Sequence, residues 1–302
     1  MADISKIVKD IVAGYEKAEI TSMIDQPRQP NKEVIIGILD DLKKILFPGF
    51  FDEKRLKSEF IEYYVGEKIE SIKYNLEKQM IYAYRCCKDH RDDSEESLAE
   101  LATEKTASFL ETIPKLQEYL ATDVQATFDG DPAAFGYEEI IYSYPGIYAI
   151  MVARIAHELY LLEIPLIPRI MTEHAHSLTG IDINPGATIG KYLCIDHGTG
   201  IVIGETTVIG EHVKIYQGVT LGGLSTSEGQ GLKGKKRHPT IGDNVTIYSG
   251  ASILGGGTII GSGSVIGGNV FITESVDENT RVTRKSGEFN YSAGKVKSKR
   301  KN

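Results

Sequence analysis

The sequence predicts an α+β architecture: an N-terminal all-helical domain, then a left-handed parallel β-helix, then a short C-terminal tail. Three observations carry this. Up to about Leu178, apolar residues fall at helical spacing. From Ile181 on they recur every six residues instead. The closing segment, Lys295 to Lys301, is basic and follows neither period. The expected divisions are 1–178, 179–275 and 276–302.

The helical part reads in order. Ile7, Ile11, Val12 and Tyr15 give one face to a helix over Ile4 to Ile20, and Ile35, Ile38, Leu39, Leu42 and Ile45 do the same over Val34 to Leu46. A long helical stretch comes next, from about Glu53 to Cys87. The acidic run Asp92 to Glu96 leads into another helix from about Leu98 to Leu120. Asp129-Gly130-Asp131-Pro132 is a stop signal, because glycine suits a helix C-cap and proline cannot continue the helix. A last helix, about Ile147 to Leu162, carries Ile150, Ala153, Ile155, Ala156 and Leu159, and Pro165 and Pro168 punctuate the segment after it.

The second period is unlike any helix. Ile183, Ile189 and Ile195 are six apart; Ile203, Ile209, Ile215 and Leu221 resume the series; Ile241, Ile247, Ile253, Ile259, Val265 and Phe271 complete it. Small or β-branched residues recur four positions on, among them Ala187, Thr207, Val213, Val219, Val245 and Ala251. Each unit makes one short strand and one turn, and three units close a triangular coil of about 18 residues. The aliphatic residue points inward. Gly190, Gly204, Gly210 and Gly242 come directly after it and are expected to serve turns of positive φ.

Two interruptions stand out. Between Ile195 and Ile203 the spacing is eight, so two residues bulge around Asp196-His197-Gly198-Thr199-Gly200. Between Leu221 and Ile241 the gap is twenty, enough for a glycine- and lysine-rich loop ending Lys235-Lys236-Arg237-His238-Pro239. Insertions in a solenoid become surface loops, where function often sits. Each carries one of the seven histidines of the chain. The plain alternative is that two polar loops hold histidines by chance. Of the others, His90 and His157 read as structural or exposed, His174 and His176 as packing under the coil, and His212 as an outward, solvated residue.

Composition excludes several classes. A net charge of −8 makes the body a poor partner for nucleic acid. No apolar run approaches the roughly 18 residues a membrane span requires, and no signal-peptide core is present, so a cytoplasmic location is expected. The three cysteines, two of them adjacent, offer neither a disulfide framework nor a metal knuckle. A zinc site built on histidines tends to draw a close pair from one loop; that pair is absent, so no metal is expected.

Asp182-Ile183-Asn184-Pro185, Ile195-Asp196-His197-Gly198-Thr199-Gly200, Val202-Ile203-Gly204-Glu205-Thr206, Gln217-Gly218-Val219-Thr220-Leu221-Gly222-Gly223 and Arg237-His238-Pro239 resemble the serine acetyltransferases. The likeness covers roughly Ile181 to Val270, and Asp131-Pro132-Ala133 upstream agrees with it. It implies transfer of acetyl from acetyl-CoA to the L-serine hydroxyl, giving O-acetylserine for cysteine biosynthesis. The catalytic candidates are His197, Asp182 and His238. His197 would be the general base, which suits an imidazole because its ordinary pKa lies near neutrality. Asp182 would fix its tautomer. Asp131 and Asp196 would hold the serine ammonium, and Arg237 and His238 its carboxylate, arginine being suited to a bidentate grip. Asp131 also reads simply as a helix-stop residue. For acetyl-CoA, Ser249 and Gly267, 18 apart, should stack as a column of small residues, and Gly223 offers an oxyanion N–H. Lys233, Lys235 and Lys236 either approach the nucleotide phosphates or are merely solvated.

The resemblance further implies homotrimers, or a dimer of trimers, with sites between chains and cysteine as a feedback inhibitor. The chain departs from the family pattern at Asn184, commonly His, and at Lys236, commonly acidic. It also ends Lys299-Arg300-Lys301-Asn302 rather than in isoleucine, so no tight sulfhydrylase complex is expected. The alternatives are an acetyltransferase for another hydroxyl, such as a sugar's, and a non-catalytic β-helix scaffold.

Overall fold

The computed structural model describes residues 3–284 except 18, 23, 25, 54, 226 and 228. The basic tail and the chain end on which the sulfhydrylase expectation rests lie outside the described residues. Two compact units are present: Met1–Ala121 with Tyr148–Leu178, and Thr122–Ile147 with Thr179–Asn302. The expected division at residue 178 separates helix from coil, yet Thr122–Ile147 groups with the coil.

Eight helices run α1 Ile4–Lys17, α2 Lys32–Leu46, α3 Ile61–Arg85, α4 Glu95–Leu110, α5 Ile113–Gly130, α6 Tyr137–Ser143, α7 Pro145–Leu161 and α8 Ile167–Thr179 among the described residues. Asn31 starts α2 by accepting the Glu33 and Val34 N–H groups at 2.9 and 3.2 Å. The apolar face read for α2 is buried. That of α1 is exposed, Ile11 and Val12 included. The single helix expected over Leu98 to Leu120 is two. Pro114 has no N–H to give the preceding turn, so the chain breaks ahead of it and restarts with Pro114 in the first turn of α5. Helices α6 and α8 were not expected.

The coil contains β1 Asp182–Ile183, β2 Thr188–Ile189, β3 Cys194–Asp196, β4 Val202–Ile203, β5 Val208–Ile209, β6 Lys214–Tyr216, β7 Thr220–Gly222, β8 Thr240–Ile241, β9 Thr246–Ile247, β10 Ser252–Leu254, β11 Ile259–Ile260, β12 Val265–Ile266, β13 Phe271–Ile272 and β14 Arg281–Val282. They form three parallel sheets, β1-β4-β7-β10-β13, β2-β5-β8-β11 and β3-β6-β9-β12-β14. Successive strands step from one face of a triangular prism to the next, as the six-residue period requires. Strand β14 pairs with β12, so the coil continues past the expected end at 275.

Core positions follow the period as far as Ile253 and then slip. Ile203, Ile215, Leu221, Ile247 and Ile253 are buried as expected, with Ala187, Thr207, Val213, Val219, Val245 and Ala251 beside them. Beyond that, Ile260, Ile266 and Ile272 point inward, while Ile259 is 53% and Phe271 69% exposed. The inward reading of Ile259, Val265 and Phe271 is therefore corrected by one residue. Gly255-Gly256-Gly257 holds an extra residue, so Thr220 and Ser252 are paired across the long loop but Ser252 pairs with Phe271, nineteen on. Ile-Ile, Val-Ile and Phe-Ile pairs hid the slip, because either member satisfies an aliphatic period.

The glycine expectation also changes. Gly190, Gly210 and Gly242 do not hold the positive φ; Tyr192, His212 and Asn244, two residues later, do, at 58°, 57° and 58°. The glycines are there for close approach. A Cβ on Gly190 would lie 2.6 Å from the Gly210 carbonyl oxygen one coil away. His212 is exposed as expected, its ring stacked on Tyr192 at 4.1 Å.

Candidate active site

The two insertions occupy different corners of the prism. The first lies between β3 and β4. The Gly198 N–H donates to Asp196 O at 2.7 Å and the Gly200 N–H to Gly180 O at 2.8 Å, which closes a tight loop. His197 sits in that loop at φ 59°, a left-handed conformation that costs a residue with a Cβ about 1–2 kcal/mol. Its side chain is 73% exposed, with Nε2 3.6 Å from Asp196 Oδ1. Asp182 opens β1 beside this loop, its backbone N–H donating to Ile201 O at 2.9 Å.

Asp131 belongs to the same corner. Its carboxylate accepts the Tyr144 hydroxyl at 2.7 Å and the Ala133 N–H at 2.9 Å. Those two bonds, the Tyr144 bond first, hold its carboxyl below the usual range, and Lys214 and His197 add to the effect. Tyr144 is correspondingly pushed up to about 12 by Asp131. Lys214, on β6 one coil above Asp196, puts Nζ 3.1 Å from Asp196 Oδ2 and 2.5 Å from Gly130 O. Burial works against its charge, but bonds to Tyr216 and Asp196 raise its pKa above the ordinary lysine value. Asp131, Asp196 and His197 are thus brought together as expected. Asp131 directly follows the end of α5 and also carries its carboxylate into this corner.

The second insertion lies between β7 and β8, and its end packs against the turn that joins β4 to β5 one coil away. The His238 ring lies under Gly204, where a Cβ would come 2.1 Å from its Cδ2. Its Nδ1 accepts the Thr206 N–H at 3.0 Å, which leaves the proton of a neutral ring on Nε2. Thr206 Oγ1 in turn accepts the Arg237 and His238 N–H groups at 2.9 and 3.1 Å. Burial first, then the Arg237 charge, lowers the His238 pKa to about 4. Arg237 Nη2 is paired with Glu205. The guanidinium is held rather than open, so the bidentate grip expected of it would have to share Glu205. Lys236 folds back onto Thr206 O at 2.6 Å and Pro239 O at 3.1 Å, and burial lowers its pKa. It does not reach outward as a phosphate ligand would.

Gly223 follows β7 at this second corner; a Cβ there would stand 3.5 Å from Arg237 O. Ser249 lies at the first corner, but not stacked on Gly267. The extra residue after Leu254 sets Tyr248 against Gly267 and Ser249 against Gly268, whose N-terminal neighbour Gly267 donates its N–H to Val282 O at 2.8 Å. The expected Ser249–Gly267 column is corrected to Ser249–Gly268. Within one chain, the face built of β1, β4, β7, β10 and β13 runs between the His197 corner and the His238 corner.

Sequence reasoning missed four residues. Thr206 and Glu205 lie inside the Val202-Ile203-Gly204-Glu205-Thr206 motif, which by itself assigns them no role. Tyr144 and Lys214 carried no signal: the decisive contact joins Lys214 to a carbonyl 84 positions away.

No family model matches the chain. A serine acetyltransferase of Synechococcus elongatus, described as plasmid-borne, is 42% identical over 261 residues, covering 84% of this chain and 82% of the relative. Among solved structures, serine acetyltransferase isoform 3 of Entamoeba histolytica in complex with cysteine is similar at a TM-score of 0.72 and 35% identity, covering 91% of this chain and 88% of that one. Soybean serine acetyltransferase complexed with serine matches at a TM-score of 0.52 and 28% identity, over 83% of this chain and 96% of that one. With the coil, the His197 and His238 corners and a relative matched over most of both chains, the protein belongs to the serine acetyltransferases.

Proposed function

We propose that the chain moves the acetyl group of acetyl-CoA to the L-serine hydroxyl, with His197 as general base. The observation that carries this is the exposed imidazole whose Nε2 faces Asp196 at 3.6 Å, in a corner shared with Asp131. A serine ammonium received by the two carboxylates brings its hydroxyl to that nitrogen. His197 takes the hydroxyl proton as oxygen attacks the thioester carbonyl. The tetrahedral oxyanion is met by a backbone N–H, for which Gly223 is the candidate. Collapse breaks the C–S bond, and the imidazolium returns its proton to the departing thiolate. Asp182, beside the loop, is assigned to steady the imidazolium. Cys194 is no nucleophile: it is buried, and burial pushes its thiol up to about 11. Direct transfer in a ternary complex is the remaining route.

The second corner binds rather than reacts. His238, neutral and fixed by Thr206, offers an Nε2–H, and Arg237 its charge, to the serine carboxylate. Because one face of the coil lies between the two corners, a complete site takes the His197 corner of one copy and the His238 corner of a neighbour, which supports a homotrimer. Ser249 and Gly268 border the path of the pantetheine arm, with Gly267 at its edge. The Entamoeba relative solved with cysteine supports cysteine as an inhibitor at the acceptor site. No described helix is long and apolar enough to cross a membrane, in keeping with a cytoplasmic enzyme.

A thiol-release assay with acetyl-CoA tests the reading against serine, homoserine, threonine and a simple galactoside. Serine should be preferred. Preference for the galactoside, which has no ammonium for Asp131 and Asp196, favours the sugar-acceptor reading, and no release with any acceptor favours a scaffold.

A further inference from the structure

We propose that Lys214 is a positioning residue of the acceptor site, tying the Asp131 loop to the Asp196 rung and balancing the charge of the two carboxylates. The inference rests on the proposed acceptor site. Lys214 projects from β6, and its ammonium bridges two parts of the molecule far apart in sequence. It donates to the carbonyl of Gly130, the last residue of α5, at 2.5 Å, and sits 3.1 Å from Asp196 Oδ2. An ammonium at that place satisfies a C-terminal carbonyl that the helix itself leaves open. Gly130 lets it approach: a Cβ there would stand 3.4 Å from Lys214 Nζ and 3.1 Å from Cys194 Sγ. The Tyr216 ring, two residues on in the same strand β6, covers the ammonium at 4.7 Å from Nζ.

The next residue after the tethered carbonyl is Asp131. Holding Gly130 therefore fixes where the Asp131 carboxylate starts, and Tyr144, 2.7 Å from Oδ2, fixes where it points. Charge points the same way. Asp131 and Asp196, the two carboxylates assigned to the ammonium, bring two negative charges and Lys214 one positive, so that group is short by one cation, which a single substrate ammonium supplies, while Asp182 is left to the imidazolium of His197. Lys214 occupies Oδ2 of Asp196 and leaves Oδ1 on the side of His197. The oxygen left over is the one that can orient an amino group toward the base.

Steady-state kinetics on Lys214→Met, Lys214→Arg and Asp131→Asn in the full chain test this. Lys214→Met should raise the KM for serine about tenfold or more, with kcat changed less than about threefold and the KM for acetyl-CoA unmoved. Lys214→Arg should recover most of the loss, since a guanidinium can serve both oxygens. An unchanged serine KM in Lys214→Met overturns the proposal. So does a loss in which both KM values and the melting temperature move together and arginine gives no rescue, because that is a folding defect. If Asp131→Asn also leaves the serine KM untouched, the acceptor-site reading itself fails; if Asp131→Asn raises it and Lys214→Met does not, only the role of Lys214 fails.

Discussion

His197 and His238 are the same residue in two insertions of one repeat, yet the fold makes them chemically unlike. His197 stands on a two-residue bulge with a left-handed backbone and 73% of its side chain exposed. His238 is 9% exposed, pinned through Nδ1 by Thr206 and lying where only a glycine at 204 leaves room. A base must gain and lose a proton within each turnover, and solvent access with a carboxylate nearby permits that. A buried ring beside Arg237, its pKa lowered to about 4, stays neutral and suits the fixed donor proposed for it. Burial and neighbours, rather than residue type, distinguish the two rings and the roles proposed for them.

The largest expected effect separates the two rings directly. His197→Ala should lower kcat by about 10²–10⁴-fold, the usual range for loss of a general base. His238→Ala should act mainly on the KM for serine, with a smaller fall in kcat. Thiol-release kinetics over a serine series read both. Equal kcat losses with unchanged KM in both variants would break the comparison, since they would make His238 a second proton carrier.

How much of this was legible in the sequence depended on the range of the interaction. The coil, its triangular closure and both bulges can be read from spacing alone, because each inward aliphatic side chain contributes about 1.5–3 kcal/mol when buried and so enforces the period. The slip after Ile253 did not show, because Ile259-Ile260, Val265-Ile266 and Phe271-Ile272 offer an apolar residue in either register. That ambiguity also misplaced Gly267 for Gly268. His197, Asp196 and Asp131 were legible through motifs and meet at one corner. The buried state of His238 was not, because it depends on Gly204 and Thr206 meeting a loop that leaves the coil and returns. Lys214 and Tyr144 answer to no local pattern. Their roles exist only once α5 ends against the coil segment that carries Asp196.

A smaller effect sharpens the second half of the comparison. Gly204→Ala puts a Cβ 2.1 Å from His238 Cδ2, closer than any side chain tolerates, so the ring must leave its place. Overpacking of this kind costs about 1–3 kcal/mol. The variant should melt earlier and carry a raised KM for serine, following His238→Ala in direction. Gly257→Ala is the matched control, because nothing lies within 4 Å of the added carbon. Its stability should stay within about 0.5 kcal/mol of the parent. Thermal denaturation of the two variants distinguishes a ring held by shape from one free to move aside, in which case both would melt alike.

The smallest effect lies in the pH dependence of stability, and its sign is set by the burial of His238. Above the ordinary histidine value of about 6.5 the ring is neutral in both folded and unfolded chains and contributes no slope. Between that value and about 4 the unfolded chain binds a proton that the folded chain refuses, so stability falls as pH falls. The slope from one such group cannot exceed about 1.4 kcal/mol per pH unit. Below about 4 the folded ring also protonates and the slope fades. Asp131, whose carboxyl is held below the usual range by Tyr144, adds its own loss only at lower pH, where the unfolded carboxyl takes a proton first. Melting curves of the parent and of His238→Gln, taken from pH 7 to pH 5, isolate the histidine. The parent should lose stability faster, so the gap between them should narrow on acidification. Parallel curves would mean that the ring titrates alike in the folded and unfolded chains, and the contrast with His197 would lose its physical basis.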